Sequence, residues 1–151
     1  MRGLLASLLF ISLVACSTNA PSDAATGSSG SATPVAPGPM TVRFTYRPGD
    51  GDATPSATGG TGTIAVRGAL ATPTPCQVLT GTGAREGRTI TLTVASRATQ
   101  NVCAHTIGTF TYDATLAGGL EAGTYSLRVV HTYPGTGWET KTALTKDVQV
   151  R

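Results

Sequence analysis

The sequence predicts an all-β chain whose folded part, residues 40–151, is an antiparallel β-sandwich of about seven strands. Three observations predict it. Alternation of apolar and polar residues with period two recurs along this stretch, and no apolar repeat of helical period runs for a useful length. The alternating runs are separated by Gly- and Pro-rich turn signals, as several short strands at regular spacing require. The stretch is 112 residues long, near the usual size of one domain and enough for a single core.

The elements follow in order. Val42, Phe44 and Tyr46 alternate with Thr41, Arg43, Thr45 and Arg47 in the first strand. Residues 48–61 read as a long Gly/Pro/Thr loop. Weaker strand patterns cover residues 62–70 and 76–84. Ile90, Leu92 and Val94 then alternate with Thr89, Thr91 and Thr93, and threonine's branched Cβ suits such solvent-facing strand positions. Phe110, Tyr112, Ala114 and Leu116 form one face of the next run. Ile107 is out of parity with it, so Gly108 predicts a bulge. Gly118-Gly119 marks a turn. Tyr125, Leu127, Val129, His131 and Tyr133 line one face of the penultimate strand. Pro134-Gly135-Thr136-Gly137 reads as a hairpin loop, and Val148 and Val150 close the last strand.

Residues Leu120-Glu121-Ala122-Gly123-Thr124-Tyr125 resemble the corner of immunoglobulin-like and fibronectin-type sandwiches, where Leu, then Gly, then Tyr lead into the penultimate strand. The resemblance implies an immunoglobulin-like architecture in which the Tyr125 hydroxyl caps the turn. It does not extend to the antibody superfamily. Trp138, the only tryptophan, follows both internal cysteines instead of lying between them, and those cysteines are too close in sequence.

The amino-terminal part is of another kind. Arg2 is the only charge before a short apolar run at residues 3–15. That run is too short to span a bilayer, which takes about 20 apolar residues. It ends in Leu13-Val14-Ala15-Cys16, which closely resembles the lipobox of bacterial lipoproteins. The resemblance implies a signal peptide over residues 1–15, cleavage before Cys16, and diacylglycerol on the Cys16 thiol. The partner implied is a membrane, and the location is the bacterial cell envelope. Ser17 instead of Asp after the cysteine points to the outer membrane of a Gram-negative host. An ordinary signal cut after Ala20 would instead release a soluble secreted chain.

Residues 16–39 then read as the lipidated cysteine and a linker. Of the 23 residues from 17 to 39, 20 are Pro, Gly, Ser, Ala or Thr, which cannot bury enough apolar surface to offset the entropy of ordering. A coil of this length spans about 25 Å.

Assigning Cys16 to lipid leaves Cys76 and Cys103, which export favours as a disulfide. Closing that loop stabilises by about 3–4 kcal/mol. The competing reading is a zinc site of Cys76, Cys103 and His105, which lacks a compact Cys-x-x-Cys pair.

The stock for catalysis is small. The histidines are His105 and His131, and a serine triad would need Ser96 or Ser126 with Asp113 or Asp147, without a nucleophile-elbow sequence. No paired carboxylates, phosphate loop or dinucleotide fingerprint occurs. Asp50-Gly51-Asp52 lacks the rest of a calcium loop. Formal charge is +3, or +2 after loss of Arg2 (10 basic minus 8 acidic residues), and its spread forms no nucleic-acid stripe. The expectation is therefore a non-enzymatic binding or structural module of the envelope, with no metal or cofactor, meeting an envelope protein or glycan.

The candidate ligand-binding residues are His131, Tyr133 and Trp138. Two amphipathic rings flanking a glycine-rich tip can stack on sugars or anchor a protein partner. Equally, Tyr133 and Trp138 can form a cross-strand pair that pins the hairpin. One alternative function is thus a carbohydrate-binding module using Tyr133 and Trp138. Another is a protease inhibitor presenting residues 48–61 or 134–137.

Overall fold

Eight strands carry the alternation seen in the sequence: β1 (Thr41–Pro48), β2 (Ser56–Gly59), β3 (Thr63–Thr72), β4 (Gln77–Glu86), β5 (Thr89–Ala98), β6 (Gly108–Ala117), β7 (Gly123–Thr132) and β8 (Lys141–Val150). The computed structural model describes residues 40–49, 53–100 and 102–151. The signal, Cys16, the linker and Asp50-Gly51-Asp52 lie outside them. Among the described residues there is no helix, and the strands form two four-stranded sheets ordered β1-β6-β3-β2 and β4-β5-β7-β8.

The inward-facing residues of both sheets make one core. Ile64, Val66 and Leu70 of β3 face the same interior as Phe110, Ala114 and Leu116 of β6, with Ile64 opposite Leu116 and Val66 opposite Ala114. The other sheet supplies Ile90, Leu92 and Val94 from β5, Tyr125, Leu127 and Val129 from β7, and Val148 and Val150 from β8. Each such large side chain contributes about 1.5–3 kcal/mol by leaving water. Edge strand β4 carries glycine inward: a Cβ on Gly81 would lie 2.4 Å from the Phe44 ring, and one on Gly83 would lie 2.9 Å from Met40 and Val42. The missing side chains of β4 are the space that the side chains of β1 fill.

The β-sandwich stands as expected, with eight strands against about seven; three details refine it, and the Gly108 bulge needs correction. The strand count rises to eight because Ser56–Gly59 inside the supposed loop 48–61 pairs with β3. Ala57 is its single buried residue, too little to show in the sequence. The pairing is not antiparallel throughout: β5 and β7 run parallel, since the chain crosses to the other sheet for β6 and returns in the same direction. The strand order also differs from the immunoglobulin constant type, whose sheets are ABED and CFG. The immunoglobulin likeness is limited to two facing sheets and the corner, where the Tyr125 hydroxyl accepts the Glu121 N–H at 3.1 Å. Finally, Gly108 pairs in register with Thr72 and makes no bulge, while Ile107 lies outside the strand and is exposed.

The bulge lies in β8. Val129 pairs with Leu144, but Val130 pairs with Thr142, so Ala143 is the extra residue. Below it, Leu144, Lys146 and Val148 share the parity of the core. Past it, the parity changes, and Lys141 comes opposite His131.

Candidate functional site

The pairings fix which ends of the strands lie together. Pro48 lies opposite Phe110 and Thr72 opposite Gly108, so the described residues of the connections after β1, β3, β5 and β7 (49, 53–55, 73–76, 99–100, 102–107 and 133–140) gather at one end of the sandwich. Thr41 and Thr63 both lie opposite Ala117, which places Met40 and the shorter connections 60–62, 87–88 and 118–122 at the other.

The longer-connection end is braced covalently. Cys76 and Cys103 form a disulfide with 6.0 Å between their Cα atoms, across a separation of 27 residues. Both thiols are used in that bond, so neither is available to the zinc site considered with His105. The Cys76 carbonyl accepts hydrogen bonds from both the N–H and the hydroxyl of Thr99. The segment so held presents Val102, 85 % exposed, and Ile107, 65 % exposed, to water.

A cleft of about 300 Å³ opens at the same end, between the close of β7, the start of β8 and residues 53–55. Ala53, Pro55 and Ala143 give it apolar walls, and His131, Tyr133 and Lys141 give it polar groups. His131 is 5 % exposed. Its Nε2 lies 3.0 Å from the hydroxyl of Tyr112, which reaches across from the other sheet, and the two rings meet edge to face at 5.7 Å. Gly68, opposite Tyr112 in β3, makes room for this phenol: a Cβ there would lie 2.4 Å from the hydroxyl. Burial, with the Lys141 ammonium nearby, pushes the His131 pKa down to about 4. Burial also raises the pKa of Tyr112, and that of Tyr133. At neutral pH the cleft therefore holds a neutral imidazole and a protonated Tyr133 phenol.

Of the three residues singled out in the sequence, His131 and Tyr133 both line this cleft. Trp138 packs on Tyr133 with centroids 5.3 Å apart and planes at 63°. Both rings belong to the 133–140 connection and not to paired strands, so the cross-strand pair is realised within the loop. Thr136 ties the loop together, donating from its N–H and its hydroxyl to the Tyr133 carbonyl and accepting from the Trp138 N–H. Tilted at 63°, the rings do not form one flat stacking platform.

The triad candidates are not assembled. The Ser96 hydroxyl lies buried against Gln77 at 3.0 Å, Asp113 is paired with Arg67 at 2.7 Å, and His131 meets Tyr112. Ser126 and Asp147 oppose each other on the exposed face of β7 and β8. Sequence reasoning missed Lys141 and Tyr112. Tyr112 was legible only as a core position. The parity of Lys141 becomes visible only once the bulge at Ala143 is known.

Residues 64–141 match the family model described as the ORF11 beta-sandwich domain. The match runs from β3 to the first residue of β8, and so takes in the disulfide, His131, Tyr133 and Lys141. Nothing among curated proteins or solved structures matches the chain.

Proposed function

The chain belongs to the ORF11 beta-sandwich domain family, and from that premise we propose that it is an exported, lipid-anchored, non-enzymatic binding module. It is held by lipid on Cys16 and meets an envelope protein with the end of the sandwich farthest from Met40. The observation that carries this reading is the segregation of the connections. The end where the described chain begins has only short turns, and the opposite end collects the braced loop, the cleft and the exposed Val102 and Ile107. A domain tethered through residues 17–39 would be free to turn that end away from the membrane. The lipobox resemblance of residues 13–16 supports export, and export supports the oxidised Cys76–Cys103 pair.

A protein partner is favoured over a sugar because the exposed groups of the braced loop are aliphatic and the Tyr133–Trp138 rings are tilted. The inhibitor reading loses part of its loop, since Ser56–Gly59 is paired to β3. The test is sedimentation of the lipid-free mature chain, residues 17–151, with isolated envelopes. Saturable binding is expected, weakened about tenfold or more by the double variant Val102→Ser/Ile107→Ser, the size of an anchor loss at an interface. Glu86→Ala, at the opposite end, should change nothing. Absence of saturable binding, or equal loss from both ends, would overturn the proposal.

A further inference from the structure

His131, Tyr133 and Lys141, three side chains that can donate hydrogen bonds, line the cleft with the Thr54 hydroxyl beside them. The Tyr112 hydroxyl is buried and its hydrogen-bond partner is His131 Nε2, with the phenol as donor in the tautomer that protonates Nδ1. An imidazole that accepts at Nε2 and stays neutral carries its proton on Nδ1. Nδ1 makes no hydrogen bond among the described residues. His131 is a wall of the cleft, and in that tautomer Nδ1–H is the ring donor left to it. The bulge at Ala143 brings Lys141 opposite His131, and the Lys141 ammonium has no carboxylate partner among the described residues. Tyr133 adds a hydroxyl with no partner among the described residues. Three donors of different kinds, one of them charged, face a space of about 300 Å³ whose other walls include Ala53, Pro55, Ala69 and Ala143.

The described lining of this space carries no carboxylate and includes small apolar walls. We propose that this cleft binds the terminal carboxylate of a peptide that ends in a small aliphatic residue. One carboxylate oxygen takes the Lys141 ammonium and the other takes His131 Nδ1–H, with the Tyr133 hydroxyl available to either. The alanine and proline walls take the terminal side chain. Charge-assisted bonds of this kind are the strong ones, and a planar carboxylate can use two donors at once. The Tyr112–His131 bond acts behind the site: it sets the tautomer that presents a donor, which makes Tyr112 a positioning residue. This inference deepens the proposed function and rests on it for the biological source of the peptide, but its chemistry can be tested alone.

The test uses the full chain in detergent micelles, with the His131 ring followed by nitrogen NMR and Trp138, the sole tryptophan, by fluorescence. The probes are N-acetyl-alanine, its amide N-acetyl-alaninamide, and glucuronate as an acidic sugar. N-acetyl-alanine should shift the His131 resonances and Trp138 emission saturably at millimolar concentrations. The amide and glucuronate should bind about tenfold more weakly or less. Lys141→Gln should cost about tenfold or more, the scale of one charge-assisted hydrogen bond, while Glu86→Ala should leave binding unchanged. Free His131 should show a protonated Nδ1 and an unprotonated Nε2, a pattern lost in Tyr112→Phe. No saturable shift, equal binding of the amide, preference for glucuronate, or indifference to Lys141→Gln would each overturn the inference. If envelopes bind through Val102 and Ile107 while N-acetyl-alanine does not bind, the cleft inference fails alone. If N-acetyl-alanine binds and envelopes do not, the proposed function fails and the cleft stands.

Discussion

His131 makes stability depend on pH in a way that one substitution isolates. In the folded chain its pKa is pushed down to about 4, and in the unfolded chain it returns to its ordinary 6.5. A depressed pKa means that the unfolded state binds the proton more tightly, so stability falls as pH falls. The contribution is fully present above pH 6.5, is lost through the window from 6.5 to about 4, and is gone below it. That gap corresponds to about 3 kcal/mol, a large part of the stability of a domain this size. His131 lines an open cleft, so solvent screening makes this figure an upper bound. The assay is urea unfolding followed by circular dichroism at several pH values between 4 and 7, on the wild type and on His131→Gln. Glutamine still accepts the Tyr112 proton but does not titrate. The wild type should lose about 1–3 kcal/mol more than the variant between pH 7 and pH 4. Equal losses in the two proteins would refute the reasoning, as would a folded-state titration of His131 near 6.5.

Three further outcomes follow from the packing. Cys76→Ser/Cys103→Ser reopens a loop of 27 residues and should cost about 3.5 kcal/mol, lowering the midpoint by about 15 °C in calorimetry. An unchanged midpoint would contradict the bracing role. Tyr125→Phe removes the acceptor of the Glu121 N–H and should cost about 1–2 kcal/mol in urea unfolding, with faster amide exchange at residue 121. Gly81→Val drives a side chain into Phe44 and should cost about 1–3 kcal/mol, with partial recovery when combined with Phe44→Ala. A tolerated Gly81→Val would show that β1 does not pack closely on β4.

The strands that build the core were legible because one face of each is buried and the other is wet. Ile90, Leu92 and Val94, or Phe110, Tyr112, Ala114 and Leu116, show that alternation directly. The tyrosine corner was legible from six residues because a single hydroxyl bond requires that spacing. The short edge strand β2 was not, because one buried alanine among serine, threonine and glycine carries no period. Parallel pairing of β5 with β7 was hidden as well, since alternation within a strand says nothing about the direction of its neighbour. The candidate site was half legible. His131 is legible from its parity in β7, and Tyr133, just past the end of that strand, from the ring pair flanking the glycine-rich tip. Lys141 was lost because an extra residue at 143 in β8 shifts it onto the face of His131. Tyr112, at an ordinary core position, gave no sign that its hydroxyl meets a histidine of the other sheet.

The claim that one end of the sandwich meets a partner is tested most directly by photo-crosslinking in intact cells, from residues introduced one at a time at positions 102, 138 and 86 of the full chain. The account predicts a discrete protein adduct from positions 102 and 138 and none from position 86. An adduct from position 86, with none from 102 or 138, would contradict it.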